Sequence, residues 1–181
     1  MLKNTLLAIL IMSSFSFCDI IPDEEIILVN DSPTENNVIP DFSTVFPKAE
    51  NFYAVEVSSN RVYSLYSFEG KEVVLIFWAA YDRYSLKTLP HLVELQEKYA
   101  KKGLKVIGIA IDRTEEVKKN LKQNPENGKI LQLIGSVRLA KQYNVWGLPT
   151  IYILDKNLSV RKSFSGYVNK KTLEKEIHKL L

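Results

Sequence analysis

The chain of 181 residues has one cysteine, Cys18, and two histidines, His91 and His178. A disulfide needs a second cysteine whose Cα lies within roughly 7 Å, so no internal disulfide can form. Thiol–disulfide exchange needs an attacking sulfur and a resolving one, and one chain cannot supply both. Two histidines and a distant cysteine give no metal-ligand spacing, and no metal or other cofactor is expected. A large excess of one sign of charge is also lacking. The net charge of +3 is too small to argue for nucleic acid or an acidic lipid surface. No apolar run reaches the roughly 20 residues that a membrane-spanning helix needs. Internal repeats and low-complexity blocks are absent.

What is present is the balance of a globular protein, with 46% hydrophobic and 25% charged residues. The length suits one domain with a real core. Lysines gather at 98–102, 118–122 and 170–179. Each group alternates with apolar residues at helical spacing, as solvated helix faces do.

Residues 1–18 stand apart. A short start with one lysine, an almost wholly apolar stretch at 5–12, and a run of small and aromatic residues at 13–18 match the three-part layout of a secretory signal. Cys18 falls where a bacterial lipoprotein signal puts its acylated cysteine, although Phe17 before it is bulky. Cleavage after Ser16 without lipidation is the competing reading. Either one places the protein outside the cytoplasm, as a periplasmic or membrane-anchored lipoprotein, with Cys18 as the only route to a membrane. Residues 19–38 are acidic, polar and without sustained period, which reads as a flexible tether. The folded domain is expected at 39–181.

Within that domain, 54–57 and 62–65 alternate around a polar turn and predict a hairpin. Residues 73–78 are apolar at every position, as a strand covered on both faces must be. Residues Ser85 to Tyr99 carry Leu86, Leu89, Leu92, Val93, Leu95 and Tyr99 at helical spacing, with Pro90 expected to kink that helix. A buried strand is predicted at 104–111. Asp112 with Glu115 reads as the capping box of the next helix. Asn127-Gly128 reads as a turn, Ser136 as the opening of a short helix, 150–154 and 160–164 as a closing hairpin, and Asn169 as the cap of a last helix. Strands alternating with helices predict an α/β sandwich with a mixed central sheet flanked by helices, plus an N-terminal hairpin extension.

The order of these pieces resembles the extracytoplasmic TlpA/ResA branch of the thioredoxin family. Pro40-Asp41-Phe42, the run from Leu65 through Gly70-Lys71 to Phe77-Trp78-Ala79, Leu89-Pro90 and Val106 to Asp112 carry the resemblance. Tyr143 through Trp146-Gly147-Leu148-Pro149-Thr150 is its most specific part. The resemblance implies a thioredoxin-like fold and a cis peptide bond before Pro149. It also implies that an active-site cysteine pair belongs at the start of the helix after Trp78. Here that turn reads Asp82-Arg83-Tyr84-Ser85. A carboxylate at a helix N-terminus can cap free N–H groups, but it cannot form a disulfide. Ser85 has no evident base, and His91 and His178 are read as ordinary histidines. Ile76 stands where many relatives keep a buried acid or amide, and an aliphatic side chain moves no protons.

The expected role follows from what survives. In the family, a substrate chain crosses the turn and pairs with backbone beside the cis proline. Trp78, Tyr81, Arg83, Tyr84, Trp146, Leu148 and Pro149 would line such a groove, and aromatics and arginine are the residues enriched at binding hot spots. We therefore expect a redox-inactive binding module that holds an extended segment of an envelope protein, itself a monomer. The alternatives are a thiol–disulfide oxidoreductase-type role in envelope redox homeostasis and a structural envelope lipoprotein with an empty groove.

Overall fold

The computed structural model describes residues 46–181. The leader with Cys18, the tether and residues 39–45 lie outside them. Among the described residues no helix is long and apolar enough to cross a membrane.

The strand β3 (Glu72–Trp78) organises the domain. Its sequence Glu-Val-Val-Leu-Ile-Phe-Trp is buried at every position. It pairs in parallel with β4 (Leu104–Ala110) and antiparallel with β6 (Thr150–Leu154). Four further strands complete the sheet, β1 (Tyr53–Glu56), β2 (Val62–Ser64), β5 (Leu131–Ile134) and β7 (Val160–Ser165), and the first α-helix is α1 (Arg83–Tyr99). The strand order is β2-β1-β5-β4-β3-β6-β7.

Side chains of β3 alternate between two faces. Val74, Ile76 and Trp78 pack with Leu89, Leu92, Val93 and Leu95 of α1, Val117 of α2 (Thr114–Gln123), and Leu173 and Ile177 of α4 (Lys170–His178). Val73, Leu75 and Phe77 pack on the other face with Leu139 of α3 (Val137–Gln142), Tyr143, Phe52 and Leu65. Burying each such side chain contributes about 1.5–3 kcal/mol. The exposed ion pairs, at about 0–1 kcal/mol each, are minor beside it. The expected mixed sheet flanked by helices is what forms.

Two expectations change in detail. The hairpin of β1 and β2, with Val55 opposite Val62, is part of the sheet and no appendage, because β1 also pairs with β5 (Val55 opposite Ile134). The strand β5 itself has no counterpart in the sequence reading. Its four residues follow a 3-10 turn at Pro125–Lys129 and are too short to show a period. The helix α1 starts at Arg83, two residues before the expected Ser85, and runs on through Pro90, whose ring removes one helical N–H. The caps at Ser136 and Asn169 form as read. Ser136 Oγ accepts from Leu139 N–H at 3.1 Å, and Asn169 Oδ1 accepts from Thr172 N–H at 2.9 Å.

Candidate functional site

The end of β3, the start of α1 and the loop before β6 meet at one edge of the sheet. Asp82 is the N-cap of α1, and its Oδ2 accepts a 2.7 Å hydrogen bond from Ser85 N–H. The carboxylate thus satisfies one of the N–H groups that a helix start leaves unpaired. Ser85 is fully buried, and its Oγ accepts from Ala79 N–H at 3.4 Å. Both side chains hold the turn with oxygen. A buried hydroxyl that already receives a backbone N–H, with no base against it, is not an activated nucleophile.

The loop before α1 is fastened from below by Asp112. Its Oδ2 accepts from Ala80 N–H at 3.0 Å and its Oδ1 from Arg113 N–H at 2.7 Å. This corrects the capping-box reading. The N-cap of α2 is Arg113, without a side-chain cap, because the carboxylate of Asp112 is turned back toward the loop.

Trp78 requires a second correction. Its side chain is fully buried, and its indole Nε1 donates to Gln132 Oε1 at 3.0 Å, while Gln132 Nε2 donates to the Asn127 carbonyl at 2.8 Å. It packs in the core and presents no surface to a partner. Gly108 permits this pairing, since a Cβ there would sit 2.2 Å from Gln132 Oε1 and 3.1 Å from Trp78 Nε1.

The remaining expected groove residues divide into two groups on either flank of the turn. Tyr81, Asp82, Trp146 and Leu148 line one cleft of about 440 Å³ together with Ile111, Val137 and Val145. Trp146 is 93% exposed, Tyr81 75% and Val137 65%, a concentration of large apolar surface at one mouth. The Leu148–Pro149 bond is cis, as the resemblance implies. Pro149 is buried, and its carbonyl accepts from Gly166 N–H at 2.7 Å. Among the described residues neither backbone group of Leu148 has a backbone partner.

Arg83 and Tyr84 belong to the other flank. The Arg83 guanidinium lies 4.6 Å from the Tyr84 ring centroid and donates to the Tyr84 hydroxyl at 2.9 Å. Tyr84 meets Tyr167 at 6.5 Å, Lys87 Nζ lies 4.4 Å from the Tyr167 centroid, and His91 packs beside Tyr167 at 6.3 Å. His91 is therefore part of an aromatic and cationic cluster. His178 lies far along the chain on α4, its ring 6.4 Å from Tyr99.

A family model described as AhpC/TSA matches residues 37–163, which is most of the chain. The protein belongs to the AhpC/TSA family. Like other members, it has the thioredoxin-like fold. It is 29% identical over 133 residues to the thiol-disulfide oxidoreductase ResA of Bacillus thuringiensis subsp. konkukian, covering 74% of this chain and 76% of that one. It is 28% identical over 127 residues to the thioredoxin-like protein YneN of Bacillus subtilis, covering 69% and 74%. The solved structure of a candidate thiol:disulfide interchange protein DsbE from Chlorobium tepidum superposes with a TM-score of 0.67 at 26% identity, covering 75% of this chain and 96% of that one. This family member carries its single cysteine at position 18, so the helix-start turn has no sulfur.

Sequence reasoning gave Asp112 another role and missed Gln132, Val137 and Tyr167. Gln132 had a usable signal, a lone amide in the apolar run Ile130-Leu131-Gln132-Leu133-Ile134. Tyr167 had none, because only the fold brings it beside Tyr84.

Proposed function

We propose that this protein is a redox-inactive, ResA-like member of its family that works outside the cytoplasm as a binding module. It holds an extended segment of a partner protein in the cleft of Tyr81, Trp146 and Leu148 beside Pro149. The observation that carries this reading is the first turn of α1, where Asp82 and Ser85 close the helix N-terminus with oxygen while the neighbouring cleft stays open. A strand laid across the cleft can hydrogen-bond to the free backbone of Leu148 and place alternate side chains against Trp146 and Tyr81, the mode by which extended peptides add main-chain bonds and side-chain pockets together. Export by the leader, with Cys18 as an anchor, brings the domain to envelope partners.

Two measurements test it. Insulin reduction by the purified protein should stay at background, and clear turnover overturns the redox-inactive reading. Crosslinking in cells should capture a partner with the native protein and lose it with the double variant Trp146→Ala, Leu148→Asp. Identical captures from both proteins, or none from either, overturn the cleft as the working surface.

A further inference from the structure

Resting on that reading, we propose that the partner segment is apolar followed by acidic: its apolar side chains enter the Trp146 cleft and its carboxylates lie over the first turns of α1 against Arg83 and Lys87. Among the described residues neither Arg83 nor Lys87 has a carboxylate within ion-pair distance, whereas Lys170 on the neighbouring helix is neutralised by Glu94 and Lys98 by Glu174. Both unpaired cations are held in place, one 4.6 Å from the Tyr84 centroid and the other 4.4 Å from that of Tyr167. A cation lying on a ring keeps its other donors for a second partner. The one carboxylate at the turn, Asp82, is committed to Ser85 N–H.

The two surfaces are contiguous. Tyr81 and Asp82 line the cleft, and Arg83 is the next residue. Consecutive Cα atoms are about 3.8 Å apart and an extended segment advances about 3.3 Å per residue. A strand leaving the cleft therefore reaches Arg83 within a few residues. Arg83 and Lys87 lie on the rings of Tyr84 and Tyr167 and present their free donors to carboxylates of such a segment.

Two synthetic peptides test the proposal against the full chain, followed through Trp146 fluorescence. One has alternating valine and isoleucine followed by consecutive aspartates, and the other has asparagines in place of the aspartates. The acidic peptide should bind about fivefold tighter at low salt, the scale of two exposed charge contacts, and the advantage should shrink as salt screens it. In an Arg83→Glu, Lys87→Glu variant the preference should vanish or reverse while the asparagine peptide binds as before. These side chains are exposed, and a circular dichroism spectrum like that of the native protein establishes the fold of the variant. Equal affinity for the two peptides, no binding of either, or preferential binding of a soluble glucan overturns the proposal. Its failure is separable from that of the cleft reading, because Trp146→Ala, Leu148→Asp removes capture whatever charge the segment carries.

Discussion

The two sides of the turn at 81–85 contrast in how their polar groups are used. On the inner side, Ser85, Asp112, Trp78 and Gln132 are joined to backbone or to each other, and the first and third are fully buried. On the outer side, Tyr81 and Trp146 stand open, and Arg83 and Lys87 lie on tyrosine rings without acids. The inner side is where a thiol pair would do chemistry, and it is closed. The outer side is where a second chain would lie, and it is open. Thiol exchange depends on two sulfur atoms and an open surface on a shape, so the two features of this fold can change separately.

The largest effect should come from putting the sulfurs back. Asp82→Cys with Ser85→Cys places a thiol at a helix N-terminus, where the thiolate is stabilised, and a second thiol one turn on to resolve the mixed disulfide. Insulin reduction should rise from background to measurable turnover. If the double variant folds and stays inactive, the scaffold has lost more than its sulfurs, and the inner side is less intact than the contrast supposes.

Next in size is Gly108→Ala, which drives a methyl group toward the Gln132 carbonyl oxygen. Either the amide swings away and breaks the bond to Trp78, or the strands part. Overpacking of this kind costs about 1–3 kcal/mol. The urea midpoint should fall accordingly, with a change in the near-ultraviolet dichroism of Trp78.

These two sites also show what a sequence can disclose. The apolar run of β3 and the caps at Ser136 and Asn169 were legible, because each depends on neighbours within a few residues. The burial of Trp78 was not legible, since it rests on Gln132, which is 54 residues away. Asp112 was misassigned for the same reason. A local pattern offered it the role of helix cap, and a long-range contact with Ala80 N–H took its carboxylate instead. The surroundings of Tyr84 were hidden too, because spacing along the chain does not show that Tyr167 lies beside it.

A smaller effect separates capping from chemistry. Asp82→Ala should cost about 1 kcal/mol through loss of the cap to Ser85 N–H, and Asp82→Ser much less, as read by thermal unfolding. If both variants bind a partner as the native protein does, the carboxylate serves the fold and the cleft acts without it.

The smallest effect concerns the outer helices. Hydrogen bonds from Lys170 and Lys98 hold the Glu94 and Glu174 carboxyls below the ordinary value of 4.5. A carboxyl whose folded pKa is depressed contributes stability that is fully present above the unfolded pKa and is lost as pH falls through the folded one. The contacts between α4 and α1 should therefore weaken as pH drops below about 4.5, and added salt at neutral pH should weaken them too, since both pairs are solvent-exposed. Amide exchange in α4 should speed up under either condition while β3 stays protected. In Glu174→Gln the acid response of α4 should diminish and that of the cleft loop should not change. A cleft loop that loosened together with α4 would mean that the open surface draws its shape from these exposed ion pairs, and not from the buried strand behind it.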